Sequence, residues 1–377
     1  MTGPDQRIRL SRASVGAEEK AALGRVIDND YLGMGEEVRA FEEELGAFLG
    51  GGRHVVCVAT GTAALHLAVS CLDIGPGDEV LVPSITFVAC FQAVRGTGAA
   101  PVACDVREED VFLDLEDAKR RLTDRTRAIM PVHYASGAAG LDAIYDFAAA
   151  NRLRVIEDAA HAFGGTRRGR RVGATGDVVC FSFDGIKNIT CGEGGAVVTG
   201  DAALAQRLRD ARLLGVERDT ERRYAAERSW TFDVHHQGYR YHMSNVMAAI
   251  GRTQLAKLDR FVERRRALVE RYRAAFRGLN GLLTLALDWA EIVPHIFVVR
   301  VLDGRRDALG TWLASRGIET GFHYQPNHRL SLFASGDRLP VSERLADELL
   351  TLPLHTELTQ RDQDRVIDAV TEFIRTK

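Results

Sequence analysis

Several signatures that would point to other functions are missing from this chain. No CxxC pair joins any of the six cysteines, Cys57, Cys71, Cys90, Cys104, Cys180 and Cys191, and all six sit inside apolar segments. That placement fits reduced core thiols better than disulfides or a zinc site. The 11 histidines include no HExxH spacing, which argues against a metal enzyme. Neither sign of charge dominates: 49 Lys and Arg against 52 Asp and Glu leave a formal −3, so no global charge draws the chain to nucleic acid or an anionic membrane. Local basic runs such as Arg167, Arg168, Arg170, Arg171 and Arg264, Arg265, Arg266 read as solvated faces. There is no apolar run long enough to cross a bilayer, and the opening MTGPDQRIRLSR lacks the apolar core of a signal peptide. The expectation is a cytoplasmic protein that works on small molecules, without internal repeats or low-complexity tracts.

What is present is apolar material for more than one small core: 46% of 377 residues. From about residue 54 to 200, short apolar runs (HVVCV, EVLV, PVAC, AIMPV, RVIE, VVCFSF, AVVT) alternate with helical patterns such as TAALHLAVSCL, DLEDAKRRL and LDAIYDFAAANR. Parallel strands need crossover helices and are buried on both faces, so this alternation predicts an α/β domain built on a mainly parallel sheet. After about residue 250 the pattern changes to a long charged helix (LAKLDRFVERRRALVERYRAAF), a strand IFVVRV, a helix RRDALGTWLASRG and a closing helix. The expected division is an arm and first helix over 1–30, a large α/β domain over 31–250, and a small α+β domain over 251–377.

Ligands in such sheets lie beyond the carboxyl ends of the strands, and polar residues cluster there. Thr60-Gly61-Thr62-Ala63-Ala64 follows a strand and opens a helix, whose free N–H groups and dipole suit a phosphate; a plain turn and cap is the alternative. In VIEDAAHAFGG, Asp158 stands just past a strand and His161 three residues later. A carboxylate there can keep the nitrogen of a pyridine-ring cofactor protonated, and the histidine can bond the ring's phenolic oxygen; an N-cap and a packed helix histidine are the bland alternatives. In CFSFDGIKNITCGEGGAVVT, Ser182 and Lys187 occupy a Gly-containing turn between two strands. A lysine tucked toward such a site loses solvation, which favours its neutral, nucleophilic amine; a surface turn lysine is the alternative.

The combination, in this order and each at a strand end, resembles the DegT/StrS family of pyridoxal 5′-phosphate (PLP) dependent sugar aminotransferases, of the aspartate-aminotransferase-like fold type I. The resemblance runs from about Gly33 to the last helix through the blocks TGTAALHLA, GPGDEVLVPSITFVA, IMPVHY, VIEDAAHAFGG, FSFDGIKNITCGEGG, GYRYHMSN and LLTLPLH. It implies Lys187 as the Schiff-base lysine and proton shuttle, Asp158 as partner of the pyridine nitrogen, and His161 as a contact of the ring oxygen. It further implies Phe87 stacked on the cofactor, with Gly61, Thr62, Ala63 and Ser182 around its phosphate. The block from Gly238 to Asn245 resembles a loop that reaches a neighbouring subunit's cofactor, implying a homodimer with shared sites. Many members read G-Y-N-Y-R there; this chain has Arg240 and His242 in place of the asparagine and arginine, and Arg240 is a suitable phosphate donor from the partner subunit.

The resemblance implies L-glutamate as amino donor and a nucleotide-linked ketosugar as acceptor, in ping-pong half-reactions, with Tyr31, His323, Tyr324 and His328 on the substrate side. Certain relatives carry histidine in place of the lysine and remove a hydroxyl instead; Lys187 argues against that outcome. Two other readings stay open: an aminotransferase acting on a keto-cyclitol or other non-nucleotide ketone, and a non-catalytic PLP-binding regulatory protein. A nicotinamide dehydrogenase is disfavoured because no GxGxxG follows the first strand.

Overall fold

The computed structural model describes residues 7–227 and 231–376. Twelve strands appear among them: β1 His54–Val58, β2 Glu79–Pro83, β3 Ala100–Cys104, β4 Thr126–Ile129, β5 Arg154–Asp158, β6 Thr166–Arg167, β7 Arg170–Arg171, β8 Val178–Ser182, β9 Gly195–Thr199, β10 Leu282–Thr284, β11 Phe297–Val301 and β12 Leu349–Leu352. The helices are α1 Ala17–Asp28, α2 Glu36–Leu49, α3 Gly61–Cys71, α4 Ala89–Gly96, α5 Leu115–Arg121, α6 Leu141–Asn151, α7 Ala202–Ala211, α8 Asp219–Tyr224, α9 Asn245–Ala256, α10 Leu258–Phe276, α11 Arg306–Ser315, α12 Pro340–Glu348 and α13 Gln360–Arg375.

Seven strands form the main sheet in the order β1-β9-β8-β5-β4-β2-β3. The pairs β2–β3, β2–β4, β4–β5 and β5–β8 are parallel. Helices α4, α5 and α6 provide the crossovers between β2, β3, β4 and β5, which is what returns each strand in the same direction. Residues 183–194 contain no helix, so β9 comes back antiparallel to β8 and then pairs antiparallel with β1. This mixed but mostly parallel α/β sheet is the architecture that the apolar runs predict.

Both sheet faces are covered. On one, Val56, Val80, Val82, Ile156, Val178 and Val197 pack with Leu67, Phe91 and Leu208 of α3, α4 and α7. The other carries Val55, Cys57, Phe181 and Val198 against Phe41 and Leu45 of α2 and Phe261 of α10. Fully buried side chains of this kind contribute roughly 1.5–3 kcal/mol each relative to exposure. Helix α13 shows how pattern becomes packing: Thr359 Oγ1 caps it by accepting from Asp362 N–H at 3.1 Å, and Val366, Ala369, Val370 and Ile374 fall on one buried stripe.

The antiparallel sheet β10-β11-β12 lies under α10, α11 and α13. The N-terminal arm joins this second unit: Ile8 bridges Ile318, and Leu354 N–H donates to the Leu10 carbonyl at 3.0 Å. The expected long charged helix beginning at Leu255 is two helices. Leu255 and Ala256 finish α9, and the axis breaks at Lys257, whose Nζ is drawn back to Glu18 (3.0 Å) and Glu19 (2.7 Å) on α1. That pairing joins residues far apart in the chain, which helical periodicity does not register.

Candidate active site

The carboxyl ends of β1, β5 and β8 open into a cavity of about 510 Å3 whose lining includes Gly61, Thr62, Phe87, Asp158, His161, Ser182, Lys187, His323 and Tyr324. Nine of the residues that the sequence singles out therefore meet in one place.

The phosphate end is built by close backbone approach. Thr60 caps α3 with Oγ1 accepting from Ala63 N–H at 3.0 Å, and its carbonyl accepts from Ala64 N–H. Ala63 is consequently buried with its N–H engaged, outside the cavity lining, whereas no partner is seen for the N–H groups of Gly61 and Thr62 among the described residues. Gly61 is required by sterics: a Cβ there would lie 2.7 Å from Ser182 Cβ. A Cβ at Gly195 would meet the Thr60 carbonyl at 2.5 Å, so β8, β9 and the start of α3 are pressed together. Two free N–H groups, a helix N-terminus and the Ser182 side chain form a cradle that fits a phosphate ester.

Asp158 ends β5 beside Cys180 of β8 and is buried. Its Oδ1 accepts from Ala160 N–H at 3.0 Å and its Oδ2 from the Cys90 thiol at 2.9 Å. Lys187 follows β8 in a turn set by two contacts to Asp184: Ile186 N–H to Oδ1 at 3.2 Å and Lys187 N–H to the carbonyl at 3.1 Å. Burial pushes the Lys187 amine below the usual lysine range, against the opposing pull of the Asp158 and Asp184 charges.

His161 lies in a turn, not in the helix that its spacing allows, and is buried. Its Nε2 is 3.1 Å from the Tyr324 hydroxyl, its Nδ1 has no partner among the described residues, and its ring lies 4.4 Å from that of His295, tilted by 43°. Burial, then the neighbouring charges of Lys187, His323 and His133, keep it uncharged well below the ordinary histidine range. Phe87 is 55% exposed at the mouth, 5.7 Å from the Tyr324 ring, so it is not ordinary core.

The second unit supplies the opposite wall. His323 Nδ1 pairs with Thr351 Oγ1 at 2.8 Å, and burial followed by the Lys187 charge lowers its pKa to about 4. Tyr134 donates its hydroxyl to the His323 carbonyl. Asn327 fastens this wall to the end of β2, donating Nδ2 to the carbonyls of Ser84 (3.1 Å) and Thr86 (2.7 Å) while its N–H reaches the Ser84 carbonyl at 2.9 Å.

Besides Ala63, three residues singled out in the sequence lie outside the lining. His328 is buried outside the cavity, Nδ1 2.7 Å from Ser84 Oγ and Nε2 3.5 Å from Glu343 Oε1, a packing position between the two units. Tyr31 is also outside the lining; its carbonyl accepts from Asn245 Nδ2 at 2.9 Å and its ring fills the space beside Gly35. Arg240 is exposed, bridged through its backbone to Leu213, and does not line this chain's own cavity. Conversely, Cys90, Asp184, Glu193 and His295 belong to the site or its support and were not singled out. Glu193 lies in the same turn block as Lys187, and Cys90 directly follows the PSITFVA block that holds Phe87.

Among the described residues no group of three or more His, Cys, Asp or Glu could hold a metal ion, and all six cysteines are buried free thiols. The donor set fits PLP instead: a desolvated lysine for its aldehyde, a buried carboxylate for its ring nitrogen, a neutral histidine and an open phosphate cradle.

Residues 13–371 match the family model of the DegT/DnrJ/EryC1/StrS aminotransferase family. Among solved structures the chain is similar to the aminotransferase TlmJ from Streptoalloteichus hindustanus, with 34% identity, TM-score 0.90, and 97% of this chain and 98% of that one covered. It is similar also to DesV from S. venezuelae, solved in complex with a ketimine intermediate, with 38% identity, TM-score 0.87, and coverage of 96% and 95%. Spr1654 from Streptococcus pneumoniae in its PMP form, where PMP is the pyridoxamine counterpart of PLP, shows 26% identity, TM-score 0.90, and coverage of 98% and 99%.

Proposed function

Because the chain belongs to the DegT/DnrJ/EryC1/StrS aminotransferase family, and so is a PLP-dependent sugar aminotransferase, we propose that it moves an amino group from L-glutamate to the keto group of a nucleotide-linked sugar, a 4-keto-hexose or 4-keto-pentose. The observation that carries this reading is the convergence of Lys187, Asp158 and His161 on one cavity. Bound there, PLP supplies an electron sink that makes a carbon–hydrogen bond beside the transferred nitrogen acidic.

Lys187 holds the cofactor at rest. Once free, it takes the proton from the glutamate α carbon and later returns one to the sugar carbon that receives nitrogen. A base must begin neutral, and the desolvation of Lys187 favours that form. Asp158 keeps the ring nitrogen protonated, and uncharged His161 hydrogen-bonds the ring oxygen. Phe87 covers the ring, while the N–H groups of Gly61 and Thr62 and the Ser182 hydroxyl hold the phosphate. A homodimer completes the cradle with Arg240 of the partner subunit. His323 and Tyr324 face the substrates, and both half-reactions reuse one base in one cavity, giving ping-pong kinetics. The same reading makes the protein cytoplasmic; among the described residues no helix is long and apolar enough to cross a membrane.

The test is the visible spectrum of purified protein with PLP, before and after L-glutamate, beside Lys187→Ala. Wild type is expected to be yellow and to bleach with glutamate, and Lys187→Ala to lack the lysine-bound band. A wild type with no such band sinks the catalytic reading in favour of a regulatory PLP-binding protein. An acceptor panel of nucleotide-linked ketosugars and free keto-cyclitols then distinguishes the two acceptor classes.

A further inference from the structure

The Asp158 carboxylate is buried, yet no lysine, arginine or histidine among the described residues forms an ion pair with it. One backbone N–H, from Ala160 at 3.0 Å, and one thiol, from Cys90 at 2.9 Å, are what hold it. The direction of the chain behind it follows from counting hydrogens. An ionised carboxylate only accepts, so the single hydrogen of the Cys90 thiol goes to Asp158 Oδ2. Thr86 Oγ1 lies 3.3 Å from the same sulfur and must therefore be the donor in that contact. The result is a relay Thr86 O–H to Cys90 S–H to Asp158, fully buried at Cys90 and anchored at Thr86 by the Asn327 contact to its carbonyl.

We propose that Cys90, backed by Thr86, is a positioning residue of the transamination: its thiol orients Asp158 toward the cofactor nitrogen. This rests on the role given to Asp158 above. The first turn of α4 puts the thiol in place: Cys90 is its second residue, and its N–H donates to the carbonyl of Phe87, which precedes the helix, at 3.3 Å. Burial and the Asp158 charge both oppose thiolate formation, so the group stays a donor.

The experiment has a protein-only arm and a cofactor arm. The infrared S–H stretch of Cys90 is isolated by subtracting the spectrum of Cys90→Ala from that of wild type. It is expected at lower frequency than the bands of the other five thiols, and to move back toward them in Asp158→Asn. In the cofactor arm, PLP affinity is measured for Cys90→Val, which fills the space without a donor, and Cys90→Ser, which is smaller but donates. Loss of a hydrogen bond of about 1 kcal/mol corresponds to roughly five-fold weaker binding for the valine variant, with serine recovering most of it. An unshifted S–H band, or rescue by valine and not by serine, overturns the proposal and leaves Cys90 as filler. Failure of the transaminase reading itself would show in the wild-type visible spectrum and would leave the S–H comparison untouched.

Discussion

Replacing Gly61 with alanine tests the construction of the phosphate cradle at its tightest point. The new Cβ would lie 2.7 Å from Ser182 Cβ, 2.9 Å from its Oγ and 3.3 Å from its Cα, whereas carbon atoms in contact sit roughly 3.5–4.0 Å apart. Ser182 cannot yield easily, because β8 is hydrogen-bonded to β5 on one side and β9 on the other. The first turn of α3 must then retreat by about 1 Å, and overpacking of this size costs roughly 1–3 kcal/mol of stability. The same retreat stretches an N–H contact to a bound phosphate beyond hydrogen-bonding range. Losing one such charge-assisted bond, about 1.5–3 kcal/mol, weakens PLP binding by roughly ten- to a hundred-fold. Thermal denaturation and titration of the apoprotein with PLP read the two effects separately. Gly61→Ala combined with Ser182→Gly removes the two closest of these three atoms and should recover part of the stability without recovering full affinity, since the Ser182 hydroxyl is gone. Unchanged melting and unchanged affinity in the single variant, or no coupling in the double-mutant cycle, would refute the reasoning.

Three other outcomes follow from contacts already described. Lys187 titrates below its usual value of 10.5, so single-turnover rates with L-glutamate should rise with pH and level off below that value. Asp184→Asn removes a charge that favours the ammonium, and should move the midpoint to still lower pH; an upward shift would contradict the assignment. For Glu19, burial opposes ionisation, but the hydrogen bonds from Lys257, Gln254 and Gly16 N–H outweigh it and lower its pKa from 4.5 to about 2. The folded pKa being depressed, this anchor is present above about 4.5 and lost as pH falls toward about 2, so amide exchange in α1 should accelerate in that window, and Lys257→Met should produce the acceleration at neutral pH. His328→Ala removes the imidazole contacts to Ser84 and Glu343 from a buried position and should lower stability by about 1–3 kcal/mol while KM for both substrates stays within about two-fold. A large KM change alone would return His328 to the substrate site.

Much of the fold was legible because buried parallel strands write themselves as apolar runs: each of the seven runs read from residue 54 onward overlaps a strand of the main sheet, AIMPV by only two residues. Lys187 and Asp158 stood out because strand ends place polar residues over the cavity, and their side chains do line it. What escaped depends on contacts between distant parts of the chain. The break between α9 and α10 falls at Lys257, whose side chain pairs with α1, and His328 is drawn into packing by Ser84 while its neighbour Tyr324 lines the cavity. Ala63 resembles a phosphate ligand by position, but Thr60 has already taken its N–H. Cys90 read as core because a thiol in an apolar segment gives no sign of the carboxylate it will meet.

The three hydrogen bonds that Asn327 donates make the cavity a fixed gauge. The jaw carrying Phe87 and the jaw carrying Tyr324 come from different units, yet Asn327 pins one to the other at the end of β2. Only Gln325 and Pro326 separate the pin from Tyr324. The opening offered to a sugar ring is therefore set by a two-residue spacer, and lengthening or shortening that spacer is the most economical way to recalibrate which ring fits without touching any residue that handles a proton.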